Sequence, residues 1–188
     1  MSLKIEEILK ETGCIRRGHF EWRTSRHSGY YCDFRLLSQM PDAMRDVCKY
    51  LSNKMSFEIE NPKIEVVVGS KDGSLVPVYE MAQHLGVESK FLKEIDNKMF
   101  CEDKSTIEGK NVLVVDDAVY TGTTIKKIIA GVEKAGGNVI GVAVIVNRSK
   151  GILDFSGIKF VSGISFNYPM YEKDRCPLCK DKQAIEVL

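Results

Sequence analysis

The chain has 188 residues, of which 44% are hydrophobic and 28% are charged. These values are typical of a folded protein of about one domain, and they exclude a largely disordered chain. Lys and Arg number 27 and Asp and Glu number 26, which gives a formal net charge of +1. A dedicated nucleic-acid surface usually produces a strong basic excess, so we expect no nucleic-acid partner. This near-equal number of basic and acidic residues still permits a local basic pocket for a phosphorylated small molecule.

No apolar run reaches transmembrane length, and the N-terminal MSLKIEEILKE has no signal-peptide core. We therefore expect no membrane partner and a cytoplasmic location. The six cysteines are too scattered for a disulfide framework in a cytosolic chain. Cys176 and Cys179 form a CPLC pair, which is half of a zinc site. No further ligand lies nearby in the sequence, so no protein-bound metal is expected there.

Apolar spacing predicts a short helix over residues 3–11, ended by Gly13, and a second helix that Pro41 opens and that runs to about residue 53. Between them lies an aromatic and basic segment interrupted by Gly and Ser. From residue 64 onward, predicted strands alternate with predicted helices. The strands lie at 64–68, 90–93, 112–115, 139–146 and 158–161, and the helices at 75–85 and 123–135.

Strands that read as continuous apolar runs are buried on both faces, and their alternation with helices implies parallel pairing through right-handed crossovers. We predict an α/β fold, a doubly wound parallel sheet flanked by helices, with a small N-terminal hood. The expected division is an N-terminal helix and hood over residues 1–60, an α/β core over 61–170 and a C-terminal tail over 171–188.

The stretch VLVVDDAVYTGTT, residues 112–124, carries the most chemical information. Its apolar strand is expected to end at Asp116 and Asp117, and ligands of open parallel sheets bind beyond the carboxyl ends of the strands. Two carboxylates suit ligand hydroxyl groups or Mg²⁺ rather than a phosphate. The plainer interpretation, in which Asp117 only caps a helix, explains an isolated acid pair but not the whole string.

A phosphate nest is expected directly after the acid pair. The free N–H groups of the following helix and the hydroxyls of Thr121, Thr123 and Thr124 suit a phosphate, and Gly122 lets the backbone approach closely. A phosphate nest beside a diol-binding acid pair fits a ribose 5-phosphate. The chain has no GxxxxGK[ST] loop and no GxGxxG after a strand, so nucleoside triphosphate and dinucleotide sites lack a motif.

The whole string resembles the phosphoribosyl pyrophosphate (PRPP) signature of the type I phosphoribosyltransferases. The resemblance implies that Asp116 and Asp117 contact the ribose hydroxyls and that Asp117 belongs to the catalytic machinery. It places the 5-phosphate among Ala118, Val119, Tyr120, Thr121, Gly122, Thr123 and Thr124. Tyr120 departs from the small or hydroxylated residue of many members and is similar to the pyrimidine-operon attenuator branch.

Other segments resemble the orotate phosphoribosyltransferases in particular. GHFEWRTSRHSGYYCDFRLL resembles the hood over the base, which implies orotate contacts from Arg23, Tyr31 and Cys32. GVAVIVNRSKG resembles the strand whose terminal arginine, here Arg148, faces the orotate carboxylate. A guanidinium fork suits a planar carboxylate, although a solvent-facing charge at a strand end is the plainer role for an arginine there. Packing of the hood onto the core is the plainer role for Tyr31.

Two segments resemble the parts of the family that handle pyrophosphate. IEVVVGSKDGSLVPVYEMAQHLG resembles the strand, pyrophosphate loop and helix, with Lys71 placed to pair with pyrophosphate or with Asp72. KEIDNKMFCEDKSTIEGK stands where the family has a mobile basic loop that reaches across a dimer interface. Lys98 is the expected catalytic lysine of that loop, and Lys93 falls near the family's fixed basic position. The loop lacks the family's Lys-x-His-Gly core and is rich in acids.

The resemblance therefore implies Mg²⁺-dependent transfer of the phosphoribosyl group of PRPP to orotate, giving orotidine 5-monophosphate and pyrophosphate in pyrimidine biosynthesis. It also implies a homodimer with a shared active site. Mg²⁺ is expected to arrive with PRPP, near Asp116, without dedicated protein ligands. Two alternatives stay open: a phosphoribosyltransferase for a different base, and a PRPP- or nucleotide-sensing regulator without catalysis.

Overall fold

The computed structural model describes residues 2–71, 74–149, 151, 153–155 and 157–188. None of the helices in these ranges has the length and apolar character needed to cross a bilayer. The elements in chain order are α1 (Ser2–Glu11), β1 (Ile15–Glu21), β2 (Arg26–Cys32), α2 (Phe34–Ser38), α3 (Pro41–Glu58), β3 (Val66–Ser70), α4 (Leu75–Leu85), β4 (Glu88–Ile95), β5 (Lys98–Phe100), β6 (Asn111–Val119), α5 (Thr123–Lys134), β7 (Asn138–Asn147), β8 (Lys159–Ser165), β9 (Met170–Glu172), α6 (Pro177–Lys180) and β10 (Glu186–Val187).

The larger sheet has the strand order β5-β4-β3-β6-β7-β8. Its strands are parallel except β5, which runs antiparallel to β4. The chain enters this sheet at β3, moves outward to β4 and then returns to the other side of β3 to form β6. The strand order therefore reverses between β3 and β6, which is where open α/β sheets bind their ligands. The predicted doubly wound α/β fold is confirmed.

Helices bury both faces of this sheet, because its central strands are apolar on both sides. Along β6, Leu113 and Val115 pack with α1, α3 and α4, whereas Val112 and Val114 pack with α5. Successive side chains of a strand point to opposite faces, so one continuous apolar run supplies two cores. Each of these four side chains is fully buried, and burial of such a side chain is worth ~1.5–3 kcal/mol. The double packing holds the carboxyl ends of β6 and β7 in fixed positions.

A smaller sheet with the order β10-β1-β2-β9 forms the hood. Its centre is the antiparallel β1–β2 hairpin, and both outer strands come from the C-terminal part of the chain. Ion pairs reinforce both edges: Arg16 contacts Glu186 at 2.7 Å, and Arg26 contacts Glu172 at 2.7 Å. The predicted division of the chain at residues 60 and 170 stays a prediction, and the structure joins the hood and the C-terminal segment in one sheet.

Candidate active site

The acid pair lies within β6 rather than at its end. The prediction that the strand stops at Asp116 was wrong, because β6 continues through Ala118 and Val119, which pair with Val146 and Asn147 of β7. The buried strand β7 is ten residues long and offers backbone partners beyond the apolar run of β6. Only residues 120–122 therefore separate the strand from α5.

A small cavity opens at the junction of β6 and α5. Residues 118–125 line it, and its volume is about 180 Å³. Gly122 precedes the helix with a φ of 80°, a left-handed conformation that favours glycine. The hydroxyls of Thr121 and Thr123 lie 2.8 Å apart at the cavity. All seven residues predicted to hold the 5-phosphate thus line one cavity, and they include the first N–H groups of a twelve-residue helix.

The two carboxylates of the acid pair are held by backbone N–H groups. The Asp117 amide donates to Asp116 Oδ1 at 3.1 Å, and the Ala118 amide donates to Asp117 Oδ1 at 2.6 Å. Asp116 is buried and Asp117 is half-buried. Burial raises the pKa of both carboxyls, and the charge of Asp117 raises the pKa of Asp116 further. Ligand hydroxyls or a cation would stabilise the ionised pair, because both interact favourably with negative oxygens.

The two carboxylates of the acid pair are suitable ligands for the Mg²⁺ ion that is expected to arrive with PRPP. Mg²⁺ prefers hard oxygen ligands and is usually held by one or two carboxylates together with substrate phosphates. Asp116 and Asp117 supply such oxygens at the ligand-binding edge of the sheet. The negative charge of Asp117 also raises the pKa of Asp116, and a divalent cation would reduce this repulsion.

Arg148 follows β7 at the same edge of the sheet. It is only 9% exposed, and its backbone amide donates to the Val119 carbonyl at 2.7 Å. Three aromatic rings surround its guanidinium: the Cζ atom lies 4.8 Å from the ring centroid of Trp22, 5.6 Å from that of Tyr120 and 4.2 Å from that of Tyr168. Its Nε atom has no hydrogen-bond partner among the described residues. A buried guanidinium with an unpaired N–H can donate a hydrogen bond to a ligand anion.

The hood brings two of its predicted residues to the acid pair. Tyr31 and Cys32 line a cavity of about 340 Å³ together with Asp117. Burial raises the pKa of the Cys32 thiol to about 11, so the thiol is neutral and not a nucleophile. Arg23 lies in the turn between β1 and β2, is exposed, and is not among the residues that line this cavity. Its predicted orotate contact stays a prediction.

The predicted pyrophosphate loop begins at the carboxyl end of β3. The Ser74 hydroxyl closes the loop, since it accepts from the Ser70 amide at 3.0 Å and donates to the Ser70 carbonyl at 3.1 Å. Lys71 points its Nζ at Glu102 Oε2, 3.0 Å away. Lys93 lies on β4 and is exposed, and its charge acts on Glu102 as well. Asp72 lies outside the described residues.

The segment that stands where the family has a mobile basic loop begins as a β-hairpin over residues 93–100, and its mobility stays a prediction. Strands β4 and β5 pair through Ile95 and Lys98, and Lys127 of α5 contacts Glu94 at 2.8 Å and Asn97. The outermost strand β5 carries Lys98, three strand spacings from β6, or roughly 14 Å. Lys98 is not among the residues that line the cavity at the β6–α5 junction.

Comparison with known proteins decides the family. Residues 38–167 match the model of the phosphoribosyl transferase domain. This chain belongs to the phosphoribosyl transferase family. The orotate phosphoribosyltransferase of Caldanaerobacter subterraneus subsp. tengcongensis is 36% identical over 179 residues, which cover 95% of this chain and 92% of that relative. The orotate phosphoribosyltransferase of Thermotoga maritima is 32% identical over 94% of this chain and 92% of its own length.

Solved structures agree with this membership. The crystal structure of orotate phosphoribosyltransferase from Aeropyrum pernix superimposes with a TM-score of 0.70 at 25% identity, and the match covers 86% of this chain and 93% of that chain. The predicted resemblance to the type I phosphoribosyltransferases is therefore confirmed over almost the whole chain, including the hood and the C-terminal segment.

Two residues around Arg148 of this phosphoribosyltransferase were not predicted from the sequence. Trp22 is the only tryptophan of the chain and lies inside the hood motif, so the sequence alone could have indicated it as a candidate for the base pocket. Tyr168 follows the carboxyl end of β8, the same sheet edge that carries Asp116 and Arg148. Its position depends on the order of strands in the sheet, which the local sequence does not encode.

Proposed function

We propose that the protein is an orotate phosphoribosyltransferase, which transfers the 5-phosphoribosyl group of PRPP to N1 of orotate and releases pyrophosphate. One observation carries the choice of base: the buried guanidinium of Arg148, enclosed by three aromatic rings, with an unpaired N–H. Curated orotate phosphoribosyltransferases that align with nearly the entire chain support the same choice.

The chemistry of orotate matches this pocket. Orotate is a planar ring that carries a carboxylate, so the ring suits aromatic walls and the carboxylate suits a guanidinium fork. In a buried site this charge pair is strong because little water screens it. A base without the carboxylate would leave Arg148 unpaired, and a buried polar group left unpaired in this way gives discrimination of roughly 10²-fold or more.

PRPP is expected to lie across the edge of the sheet. The 5-phosphate occupies the cavity at the start of α5, and Asp116 and Asp117 accept hydrogen bonds from the ribose hydroxyls. The pyrophosphate lies toward the loop after β3, where Lys71 and Lys93 supply positive charge. Mg²⁺ bound with PRPP near Asp116 would neutralise the leaving pyrophosphate.

The chain's own residues then stabilise charge rather than form a covalent intermediate. As the bond from C1 of the ribose to pyrophosphate breaks, positive charge develops on the sugar ring, and the adjacent carboxylates of Asp116 and Asp117 stabilise it. Arg148 and the aromatic rings orient N1 of the base toward C1. The hood hairpin covers the base and limits access of water, which would otherwise capture the sugar.

The base preference is tested with purified protein, Mg²⁺, PRPP and a panel of bases: orotate, uracil, adenine and hypoxanthine. We expect orotate to be consumed with an equal amount of pyrophosphate released, and the other bases to react at least about 100-fold more slowly. If only another base reacts, the protein is a phosphoribosyltransferase for that base and this proposal is wrong. Tight PRPP binding without turnover of any base would make the protein a sensor.

We further propose a cytoplasmic homodimer in which Lys98 serves the neighbouring subunit, because the hairpin is fixed on the far side of the sheet from its own phosphate cavity. Mixing inactive Lys98→Ala and Asp117→Asn subunits should then restore activity. Each hybrid dimer has one site with both residues intact, so a random mixture regains about a quarter of the wild-type sites. A mixture as inactive as its two components would show that Lys98 does not act across an interface.

The ion pair between Lys71 and Glu102 is expected to compete with pyrophosphate. Both side chains are largely exposed, so the pair is weak and easily broken. We expect Glu102→Gln to free Lys71 and to lower KM for PRPP about two- to threefold with little change in kcat. Glu88→Gln is the matched control, because Glu88 pairs with Lys90 at the opposite end of β4. A rise in KM would show that Glu102 orders the loop instead.

A further inference from the structure

Four metal-ligating side chains meet between the hood and the C-terminal segment. They are His19, His27, Cys176 and Cys179, and one ligand atom from each lies within 4.8 Å of all the others. The expectation that the CPLC pair has no further ligands nearby was therefore wrong. The two histidines face each other across the antiparallel β1–β2 hairpin, and the cysteines flank the start of α6. The cluster lies outside the site described above.

Three sulfur–nitrogen separations in the cluster are close to those around one tetrahedral ion. The Sγ atom of Cys179 lies 3.2 Å from His27 Nδ1 and 3.7 Å from His19 Nε2, and the Sγ atom of Cys176 lies 3.5 Å from His19 Nε2. A tetrahedral Zn²⁺ with ordinary Zn–S and Zn–N bonds separates sulfur from nitrogen by about 3.6 Å. The two histidine nitrogens are 2.8 Å apart, closer than the ligands of such an ion, and a small side-chain rotation would separate them.

The outer nitrogen of His19 already has a hydrogen-bond partner, whereas the outer nitrogen of His27 lies near a carboxylate but has no hydrogen-bond partner among the described residues. His19 Nδ1 donates to the Gln183 carbonyl oxygen at 3.0 Å, which leaves the lone pair of its Nε2 directed into the cluster. His27 Nε2 lies 3.5 Å from Glu21 Oε2, so a proton on Nε2 faces a carboxylate and Nδ1 faces the cluster. Contacts to a carbonyl and to a carboxylate are the usual outer contacts of zinc-binding histidines, and they fix which nitrogen binds.

While both rings are neutral and no ion is bound, the same geometry has no satisfactory arrangement of protons. The nitrogens His19 Nε2 and His27 Nδ1 are 2.8 Å apart, so one of them must donate to the other. If His27 Nδ1 donates while the ring is neutral, its Nε2 presents a lone pair to the Glu21 carboxylate. If His19 Nε2 donates while that ring is neutral, its Nδ1 presents a lone pair to the Gln183 carbonyl. Either choice places a nitrogen lone pair opposite an oxygen lone pair in a buried site, which is unfavourable. A bound cation would accept the nitrogen lone pairs and remove this repulsion.

We propose that His19, His27, Cys176 and Cys179 bind one Zn²⁺ ion through Nε2, Nδ1 and the two Sγ atoms. Two cysteines and two histidines form a closed tetrahedral set, which is typical of structural rather than catalytic zinc. Both thiols lose their protons to the solvent when the ion binds. His19, His27 and Cys176 are buried, so the bound ion has little access to water.

The ion would fasten the C-terminal segment to the hood. Its histidine ligands come from β1 and β2, and its cysteine ligands stand between β9 and β10, the strands that pair with the two edges of that hairpin. The hairpin also carries Trp22, which lies against Arg148, so the ion would hold the wall of the base pocket in place. This structural role does not depend on which base the pocket accepts.

The metal content of the protein tests this directly. We expect wild-type protein, purified under reducing conditions without chelator, to contain about one zinc per chain by plasma mass spectrometry. Cys179→Ser and His27→Gln should reduce the zinc content at least several-fold. The matched controls Cys101→Ser and His84→Gln, which lie outside the cluster, should keep the wild-type content. Chelation should lower the unfolding temperature of the wild type, and added Zn²⁺ should restore it.

A second measurement does not depend on the folding of any variant. Metal-depleted, reduced wild-type protein is titrated with Co²⁺, which should saturate at one equivalent with the visible bands of a tetrahedral ion and a thiolate-to-cobalt charge-transfer band, and Zn²⁺ should displace it. Wild-type protein that binds no Co²⁺ and no Zn²⁺ would overturn the proposal. So would a disulfide between Cys176 and Cys179 in protein isolated without oxidant.

Discussion

Replacing Arg148 with methionine is expected to lower kcat/KM for orotate by at least about 100-fold, while the Kd for PRPP stays within about threefold of wild type. Three rings surround the guanidinium, and without it the orotate carboxylate would lose its partner there. Methionine keeps an unbranched apolar side chain in contact with Trp22, Tyr120 and Tyr168. The fall in kcat/KM should therefore come from weaker binding of orotate and not from altered packing of the hood.

Stability measurements separate this functional role from a structural one. The unpaired Nε of Arg148 costs free energy in the folded state, but the contacts of the guanidinium with three rings offset this cost, so Arg148→Met should change the unfolding temperature little. Arg148→Lys keeps the charge without the planar fork, and it should lose less orotate activity than methionine does. An equal loss of activity toward all bases, or a fall in unfolding temperature, would count against the assignment of Arg148 to the orotate carboxylate.

The fold was predictable because its signals are local and repeated. Continuous β-branched runs such as residues 112–115 are buried on both faces, and the helices between them show one apolar stripe each. The end of β6 was not predictable in the same way. Asp116 and Asp117 are poor strand residues, and they remain in the strand because β7 offers them backbone partners. Tertiary pairing overrides local preference there, at the position that forms the ligand site.

The hairpin after β4 did have a local signal. Asp96 and Asn97 both have a positive φ, of 48° and 63°, and acidic or amide residues at the two central positions are typical of a tight hairpin turn. The prediction for this segment followed the resemblance to the family's mobile loop and not the turn residues Asp96 and Asn97. Close packing then fixes the hairpin, since a Cβ atom on Gly131 of α5 would lie 2.7 Å from the Met99 carbonyl oxygen.

The zinc-binding cluster depends on contacts that sequence spacing does not encode. His19 and Cys176 are 157 positions apart, and only the pairing of β9 and β10 with the hood hairpin brings them together. The pair CPLC is a visible half of the motif, but the two histidines stand eight residues apart in a segment that the family resemblance assigns to the base site. A closed four-ligand set therefore became recognisable only in three dimensions.

Replacing Asp117 with asparagine is expected to impair PRPP use and to stabilise the protein at the same time. Asparagine keeps one oxygen that accepts from the Ala118 amide, but it removes the charge that binds the ribose hydroxyls and stabilises the developing sugar cation. We expect kcat/KM for PRPP to fall about 10²–10³-fold. Asp42→Asn, at an exposed position of α3, is the matched control: it should leave kinetics unchanged and should slightly lower stability, because it removes an exposed ion pair with Arg45.

The pH dependence of both effects follows from the raised carboxyl pKa values. In the folded state the buried pair holds its protons to higher pH than in the unfolded chain, where an aspartate has an ordinary pKa near 3.8. The pair therefore costs nothing at pH below the unfolded value, and the wild type loses stability as pH rises through the folded pKa values. The stabilisation by Asp117→Asn should accordingly grow from pH 5 to pH 8, by about 1 kcal/mol or more in denaturant unfolding. The ionised pair accepts hydrogen bonds from the ribose hydroxyls more strongly than the protonated pair does. PRPP affinity of the wild type should therefore rise over the same range, and a flat affinity profile would show that the acid pair does not contact PRPP.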